Sequence, residues 1–177
     1  MKTVSPAFGF FILLGFLFCG CGYSTRSVVL GDLRTINIEP FKNRIIYGTD
    51  GARNVYLPML EVNITNAIAD RFMFDGNLKV TNKDKADLIL QGELIDFRRD
   101  ALRYTESNDV QEYRITITVS MTLWDNAEQK PVWSESGFSG DSTYFTTGSL
   151  AKSESAAVQN ALADLARRVV ERTIEDW

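Results

Sequence analysis

The fold class of this chain follows from one segment, Tyr113-Arg-Ile-Thr-Ile-Thr-Val-Ser-Met-Thr-Leu-Trp124. Apolar and polar side chains alternate along it, which is the period of a β-strand with two chemically different faces. The apolar face is predicted to hold Ile115, Ile117, Val119, Met121 and Leu123. The opposite face carries hydroxyl side chains, namely Thr116, Thr118, Ser120 and Thr122.

Neighbouring segments show the same alternation and extend the sheet. Residues 34–40 and 86–97 are predicted strands that precede the central one, and residues 105–109 form a hairpin loop. Residues 132–140 alternate again after a tight connection that contains Asp125, Asn126 and Pro131. The central strand and the strand after it are therefore predicted to form an antiparallel hairpin.

Two stretches have helical rather than strand periodicity. In the first predicted helix the apolar residues recur at spacings of three and four: Leu57, Leu60, Ile64, Ile68 and Phe72. Asn54 is the predicted cap of this helix, and Asp75-Gly76 is predicted to end it. Residues 153–175 form the second helix, with Ser153 as its cap and a buried stripe of Ala157, Val158, Ala161, Leu162, Leu165, Val169 and Ile174. The order β-α-β-β-β-α predicts an α+β two-layer sandwich, with both helices on one face of a sheet of about four strands.

The first 31 residues resemble an export signal followed by a tether. Lys2 gives a positive start, and the apolar run of residues 8–18 is too short to span a bilayer as a helix, which needs roughly 20 residues. Gly20 and Cys21 resemble the end of a bacterial lipobox, so Cys21 is the predicted lipidation site. The predicted division is a signal peptide at 1–20, a lipidated tether at 21–31 and one α/β domain at 32–177. The alternative is that Cys21 is an ordinary cysteine or half of a disulfide.

Composition excludes several function classes. The 177 residues are 45% hydrophobic, enough for a real core, and carry 19 Lys and Arg against 23 Asp and Glu, a net charge of −4. That balance argues against nucleic acid as a partner. The chain has no histidine and only two cysteines, Cys19 and Cys21, and it lacks a nucleophile elbow, a phosphate loop and paired metal ligands. We therefore expect no enzyme activity, no cofactor and no metal site.

A cluster of basic residues ends the second predicted strand, where Arg98, Arg99 and Arg103 follow one another closely. Clustered basic side chains are candidates for anion binding on an otherwise acidic protein. The alternative is a solvated surface, or pairing of Arg98 and Arg99 with Asp96 and Asp100.

The chain resembles the LptE family of lipopolysaccharide-assembly lipoproteins over nearly all of the predicted mature region. The resemblance rests on the order and spacing of Cys21-Gly22-Tyr23, Ile36-Asn-Ile-Glu-Pro-Phe-Lys-Asn43, residues 60–72, Ala86-Asp-Leu-Ile-Leu-Gln-Gly92 and Glu112-Tyr113. It implies two helices on a mixed four-stranded sheet, in agreement with the fold predicted from periodicity. Gly22 after the lipidated cysteine implies the outer membrane, on its periplasmic side.

The resemblance also implies partners. Proteins of this family sit inside the lumen of the LptD β-barrel, assist its assembly, and bind lipopolysaccharide on its way to the cell surface. A family basic residue before the last helix falls on Lys152, and another, on the hairpin, lies nearest to Arg103. Arg98 and Arg99 are added as lipopolysaccharide-binding candidates on charge alone.

Two other functions remain open at this level. The chain could be another outer-membrane lipoprotein, acting as an accessory subunit of a secretion or transport pore or of a cell-wall synthase. The less favoured alternative is a lipid-anchored enzyme that uses carboxylates such as Asp87, Glu93 and Asp96, but their positions are also explained as the polar faces of strands. The aromatic side chains of Trp124, Tyr144 and Phe145 could face a barrel wall or fill the core, whereas Trp133 is predicted to lie in the core.

Overall fold

The computed structural model describes residues 33–46 and 57–174. The predicted signal peptide at 1–20, the tether at 21–31 with Cys21, and the predicted helix cap Asn54 lie outside the described residues.

Six strands and two helices make up the described part of the chain. The strands are β1 (Thr35–Ile38), β2 (Lys42–Asn43), β3 (Lys79–Val80), β4 (Leu88–Tyr104), β5 (Val110–Asp125) and β6 (Lys130–Phe145). The helices are α1 (Leu60–Asp75) and α2 (Glu154–Ile174), and a single 3-10 turn covers Lys83–Lys85. The predicted α+β class and the packing of two helices on a mixed sheet are confirmed.

The sheet is larger than the sequence predicted. Its order is β3-β1-β4-β5-β6, and β2 pairs with β4 beside the end of β1. The β1, β2 and β3 pairings are parallel, whereas β4, β5 and β6 form an antiparallel meander. The sheet was expected to have about four strands and has six within the described residues. The two additional strands are β2 and β3, which have two residues each. Strands this short carry no alternation that a sequence pattern could reveal.

The three long strands run beyond their predicted ends. β4 continues through the basic cluster to Tyr104, and β6 includes Tyr144 and Phe145. The predicted loop at 105–109 is confirmed, since the Thr105 amide donates to the Asp109 carbonyl at 2.8 Å. The basic residues therefore belong to a paired strand rather than to a loop.

The helices begin and end for identifiable local reasons. α1 starts at Leu60, after Pro58, and is preceded by Met59 in the left-handed region at φ 59°. Gly76, at φ 77°, closes α1 as the sequence predicted, and its amide donates to the Phe72 carbonyl. At α2, the Ser153 hydroxyl accepts from the Ala156 amide at 3.2 Å, which confirms Ser153 as the cap.

One hydrophobic core joins the sheet and both helices. The predicted apolar face of β5 is buried throughout, and the buried stripes of α1 and α2 pack against it. The hydroxyl residues on the opposite face of β5 are only half-buried. The sheet thus has one face covered by α1 and α2 and one polar face that no helix of the described ranges covers, which we call the open face.

Candidate functional site at the hairpin end of the sheet

The predicted lipopolysaccharide-binding residues Arg103 and Lys152 lie at one end of the sheet. Strand register places Arg103 opposite Glu112, Glu112 opposite Phe145, and Phe145 opposite Ala151. The Lys152 amide then donates to the Phe145 carbonyl at 3.0 Å. Neighbouring strands are about 4.8 Å apart, so this row spans roughly 14 Å. We call this region, which includes the 105–109 turn, the hairpin end.

Arg103 is held by a cross-strand ion pair. Its Nε lies 3.0 Å from a Glu112 carboxylate oxygen, and the Arg103 side chain is 67% exposed whereas that of Glu112 is 10% exposed. The guanidinium therefore neutralises a nearly buried carboxylate and still presents donors to solvent. An arginine has five N–H donors in a planar fork, so one ion pair leaves others for an anion.

Lys152 is exposed and follows the strand-like contact of Ala151 with β6. Within residues 33–46 and 57–174, no hydrogen bond or ion pair engages its ammonium group. The adjacent start of α2 is already occupied, because Ser153 caps an amide and Glu154 lies in the first turn. The charge available here is consequently that of the Lys152 side chain rather than that of the helix terminus.

Arg99 points to the helix-covered face and joins β4 to α2. Its Nη1 lies 2.5 Å from a Glu154 carboxylate oxygen, and its guanidinium lies 5.0 Å from the Tyr113 ring centre. The Tyr144 hydroxyl reaches the same carboxylate at 3.4 Å, and the Tyr113 and Tyr144 rings stack at 5.7 Å. The hydrogen bond to Glu154 raises the pKa of Arg99. The pKa of Tyr144 is also raised, mainly by burial and secondly by the negative charge of Glu154.

Arg98 points to the open face and forms an ion pair with Asp96, two residues earlier in the chain. Its Nε lies 2.9 Å from an Asp96 carboxylate oxygen, and the Arg98 side chain is about half exposed. The pairing of Arg98 with Asp96, one of the alternatives that the sequence left open, is therefore present. Arg99 pairs instead with a helix residue that is 55 positions away in the chain.

Three exposed apolar side chains at the hairpin end were not singled out from the sequence. Leu102 is 39% exposed, Tyr104 56% and Leu150 69%. Leu102 lies where the β4–β5 register shifts between Ala101 and Arg103, so its exposure depends on an irregularity that alternation does not predict. The hairpin end therefore combines cations with apolar surface, a composition suited to an amphiphilic anion.

The carboxylates considered for an enzyme have structural partners. One Asp87 oxygen accepts from the Arg34 amide, the Thr35 amide and the Thr35 hydroxyl at 2.8, 2.9 and 2.7 Å. Glu93 pairs with Arg44 at 3.3 Å, and Asp96 pairs with Arg98. Across the described ranges, no three acidic or cysteine side chains gather closely enough to hold a metal ion.

The four aromatic side chains divide between core and surface. Trp133 and Tyr144 are buried, which confirms the core placement predicted for Trp133. Trp124 and Phe145 are half-buried on or near the open face.

As for membrane contact, none of the helices in the described ranges is sufficiently long and apolar to span a bilayer.

Comparisons with known proteins identify both a family and a fold. A family model described as LptE, Lipopolysaccharide-assembly, matches residues 33–173. No curated protein matches the chain in sequence. The structure of an uncharacterized lipoprotein B from Nitrosomonas europaea is similar with a TM-score of 0.55 and 15% identity, covering 80% of this chain and 83% of that chain.

Two further solved structures are similar at the level of fold. A protein from Xanthomonas campestris has a TM-score of 0.55 and 14% identity, covering 82% of this chain and 88% of that one. A minor lipoprotein from Acinetobacter baumannii has a TM-score of 0.50 and 15% identity, covering 81% and 94%. At such identities the likeness establishes the fold alone.

Proposed function

The chain belongs to the LptE family of lipopolysaccharide-assembly proteins, and from that membership we propose that it is a non-enzymatic subunit of the outer-membrane lipopolysaccharide translocon. In this role it assists the assembly of an LptD-like β-barrel, occupies the barrel lumen and binds lipopolysaccharide during its insertion at the cell surface. The observation that carries the proposal is the family match over residues 33–173, which spans every strand and nearly all of both helices.

The open face of the sheet supports placement inside a barrel. The lumen of a large outer-membrane barrel is polar, so a subunit that occupies it needs a polar surface. Thr116, Thr118, Ser120 and Thr122 provide hydroxyl groups along the middle of the open face. Lipid attached to Cys21 would hold the chain on the periplasmic side of the outer membrane, and several acyl chains on one residue would make that attachment stable.

The hairpin end supports the binding of lipopolysaccharide. Lys152 and Arg103 offer charge-assisted contacts to lipid phosphates, and Leu102, Tyr104 and Leu150 offer apolar contacts to acyl chains. Lys152 and Arg103 are the principal phosphate contacts, because Lys152 is exposed and Arg103, although paired with Glu112, is 67% exposed. The side chains of Arg98 and Arg99, paired with Asp96 and Glu154, are less exposed, at 47% and 32%. Arg98 and Arg99 remain secondary candidates.

Purification of the full-length chain in detergent tests the partner. Capture of a large β-barrel as the heaviest stoichiometric partner would support the proposal. Capture of a peptidoglycan enzyme or a secretion pore instead would contradict it and favour an accessory subunit of that system.

Binding of purified lipopolysaccharide by the isolated chain tests the ligand. The variant Lys152→Gln, Arg103→Gln is expected to bind about thirtyfold less tightly at matched salt, since each of the two charge-assisted contacts contributes on the order of 1 kcal/mol. Lys79→Gln is the matched control, because Lys79 is an exposed lysine on β3, away from the hairpin end. Equal affinity of the double variant and the control would remove Lys152 and Arg103 from the site.

A further inference from the structure

Within residues 33–46 and 57–174, the outer edge of β4 is paired along only half of its length. On the side away from β5, β1 pairs with Leu88, Ile89 and Leu90, and β2 pairs with Glu93 and Leu94. Beyond Leu94 no strand of the described ranges continues along that edge, although β5 pairs with β4 on the other side as far as Tyr104. About half of this long strand thus has one edge that no described strand pairs with.

Strand register identifies the backbone groups that face this edge. The Leu94 carbonyl accepts from the Arg44 amide, so Leu94 faces outward, and a bulge at Ile95 shifts the alternation by one residue. The amides and carbonyls of Phe97, Arg99 and Ala101 therefore point outward. Within the described ranges no backbone hydrogen bond is made to them from that side.

The opposite edge of the sheet, formed by β6, is blocked instead. Arg168 on α2 donates to the Ser139 carbonyl at 2.5 Å, and the Asp141 amide donates to Asp164 on α2 at 3.2 Å. The Phe145 carbonyl accepts from the Lys152 amide, and Pro131 lacks an amide hydrogen altogether. Proteins block edges in these ways to prevent pairing with other chains. The β4 edge has no comparable cover from described residues.

We propose that the β4 edge from Phe97 to Ala101 binds an extended segment of the β-barrel partner as an added strand. Outward N–H and C=O groups that repeat every second residue are matched by the backbone of another strand. The identity of this partner rests on the proposed function. Arg98, Arg99 and Arg103 each already pair with a carboxylate, that of Asp96, Glu154 and Glu112 respectively, so the added segment should be neutral.

A second copy of the chain fits this edge less well. Antiparallel pairing of two identical edges places one residue opposite itself. Registers centred on the middle of the open edge place Arg98, Arg99 or Asp100 opposite its own copy, and like charges directly opposite each other are destabilising. A partner with a different sequence avoids that repulsion.

Removal of one outward amide tests the proposal. Ala101→Pro, in the full-length chain, deletes the donor while keeping β4 compatible with its inner partner β5, since proline is tolerated at strand edges. We expect the variant to bind the wild-type barrel about tenfold less tightly, because a donor and a close backbone approach are lost together. Thr143→Pro is the control, since it deletes an outward amide from the opposite edge, β6.

Hydrogen exchange gives a second, independent measurement. The Arg99 and Ala101 amides should exchange quickly in the isolated chain and slowly in the barrel complex. Slow exchange in the isolated chain, unchanged exchange in the complex, or equal barrel affinity of Ala101→Pro and Thr143→Pro would overturn the added strand while leaving the translocon role intact. Slowing of exchange with rising concentration of the isolated chain would overturn it in favour of self-pairing. If the wild-type chain captures no barrel, the proposed function itself fails.

Discussion

Gly140 on β6 lies directly against Leu165 on α2, so closely that a Cβ atom on Gly140 would stand 2.4 Å from the Leu165 backbone nitrogen. The obstructing atoms include backbone, which cannot rotate away as a side chain can. The absence of a side chain at Gly140 therefore sets how closely α2 approaches the sheet.

Gly140→Ala should lower the free energy of unfolding by about 1 to 3 kcal/mol, because α2 must shift outward to admit the methyl group. Urea unfolding measures the change. Ser139→Ala is the control, since Ser139 is the preceding residue and its side-chain hydroxyl makes no hydrogen bond within the described ranges. Its effect should stay within about 0.5 kcal/mol. Equal stability of Gly140→Ala and the wild type would mean that α2 is less closely packed.

Arg99 and Arg98 are adjacent arginines that should differ in their contribution to stability. Arg99→Gln removes the ion pair with Glu154 and the contact with Tyr113, and should cost about 1 to 2 kcal/mol. Arg98→Gln removes an exposed pair and should cost less than about 0.5 kcal/mol. Urea unfolding of both variants measures the difference. Indistinguishable effects would indicate that the link between β4 and α2 contributes little.

Arg103 and Lys152 should also differ when their charge is reversed. Arg103→Glu places a second carboxylate beside Glu112, which is nearly buried, and should lower the unfolding free energy by about 1 to 3 kcal/mol. Lys152→Glu changes an exposed charge and should have an effect within about 0.5 kcal/mol. Thermal and urea unfolding compare the two. A neutral Arg103→Glu would show that Glu112 is readily solvated.

The elements that the sequence predicted are those with periodic burial. The alternation around Ile117 and the helical spacing around Ile64 and Leu165 identify side chains that are fully or almost fully buried, because one buried face imposes the period of the element. The pairs β1–β3 and β2–β4 were missed because two residues carry no period. The bulges at Ile95 and Leu102 were missed for a related reason, since each interrupts an alternation without a distinct residue type.

The candidate site was predictable only in composition. The sequence placed Arg98, Arg99 and Arg103 together, but which of them keeps free donors depends on strand register and on Glu154, which is distant in the chain. The exposed Leu102 and Leu150 flank the two cations through strand pairing and a loop contact. Local sequence contains neither relationship, because both arise from tertiary packing.

Cys21 remains the predicted lipidation site, and its replacement tests the tether. Cys21→Ala should move the protein from the membrane fraction to the soluble fraction, because no acyl chain would then hold it at the bilayer. Fractionation and labelling with a radioactive fatty acid measure the change. The folded domain should keep its unfolding midpoint. Acyl labelling that persists in Cys21→Ala would assign the lipid to another residue.

Asp87 should make stability depend on pH in a defined direction. Its carboxylate accepts two amides and a hydroxyl from the start of β1, and the hydrogen bonds from Arg34 and Thr35 hold the pKa of Asp87 below its ordinary 3.8. Since the pKa is lower in the folded than in the unfolded chain, the stabilisation is complete above the unfolded value and is lost as pH falls through the folded one.

Asp87→Asn keeps an acceptor oxygen but not the charge, so it should be less stable than the wild type near pH 7, by about 1 kcal/mol. That difference should shrink as the pH falls below 3.8, whereas the other carboxylates affect both proteins equally and cancel. Urea unfolding of both proteins across this range measures it, and a constant difference would show that the Asp87 charge does not hold β1 to β4.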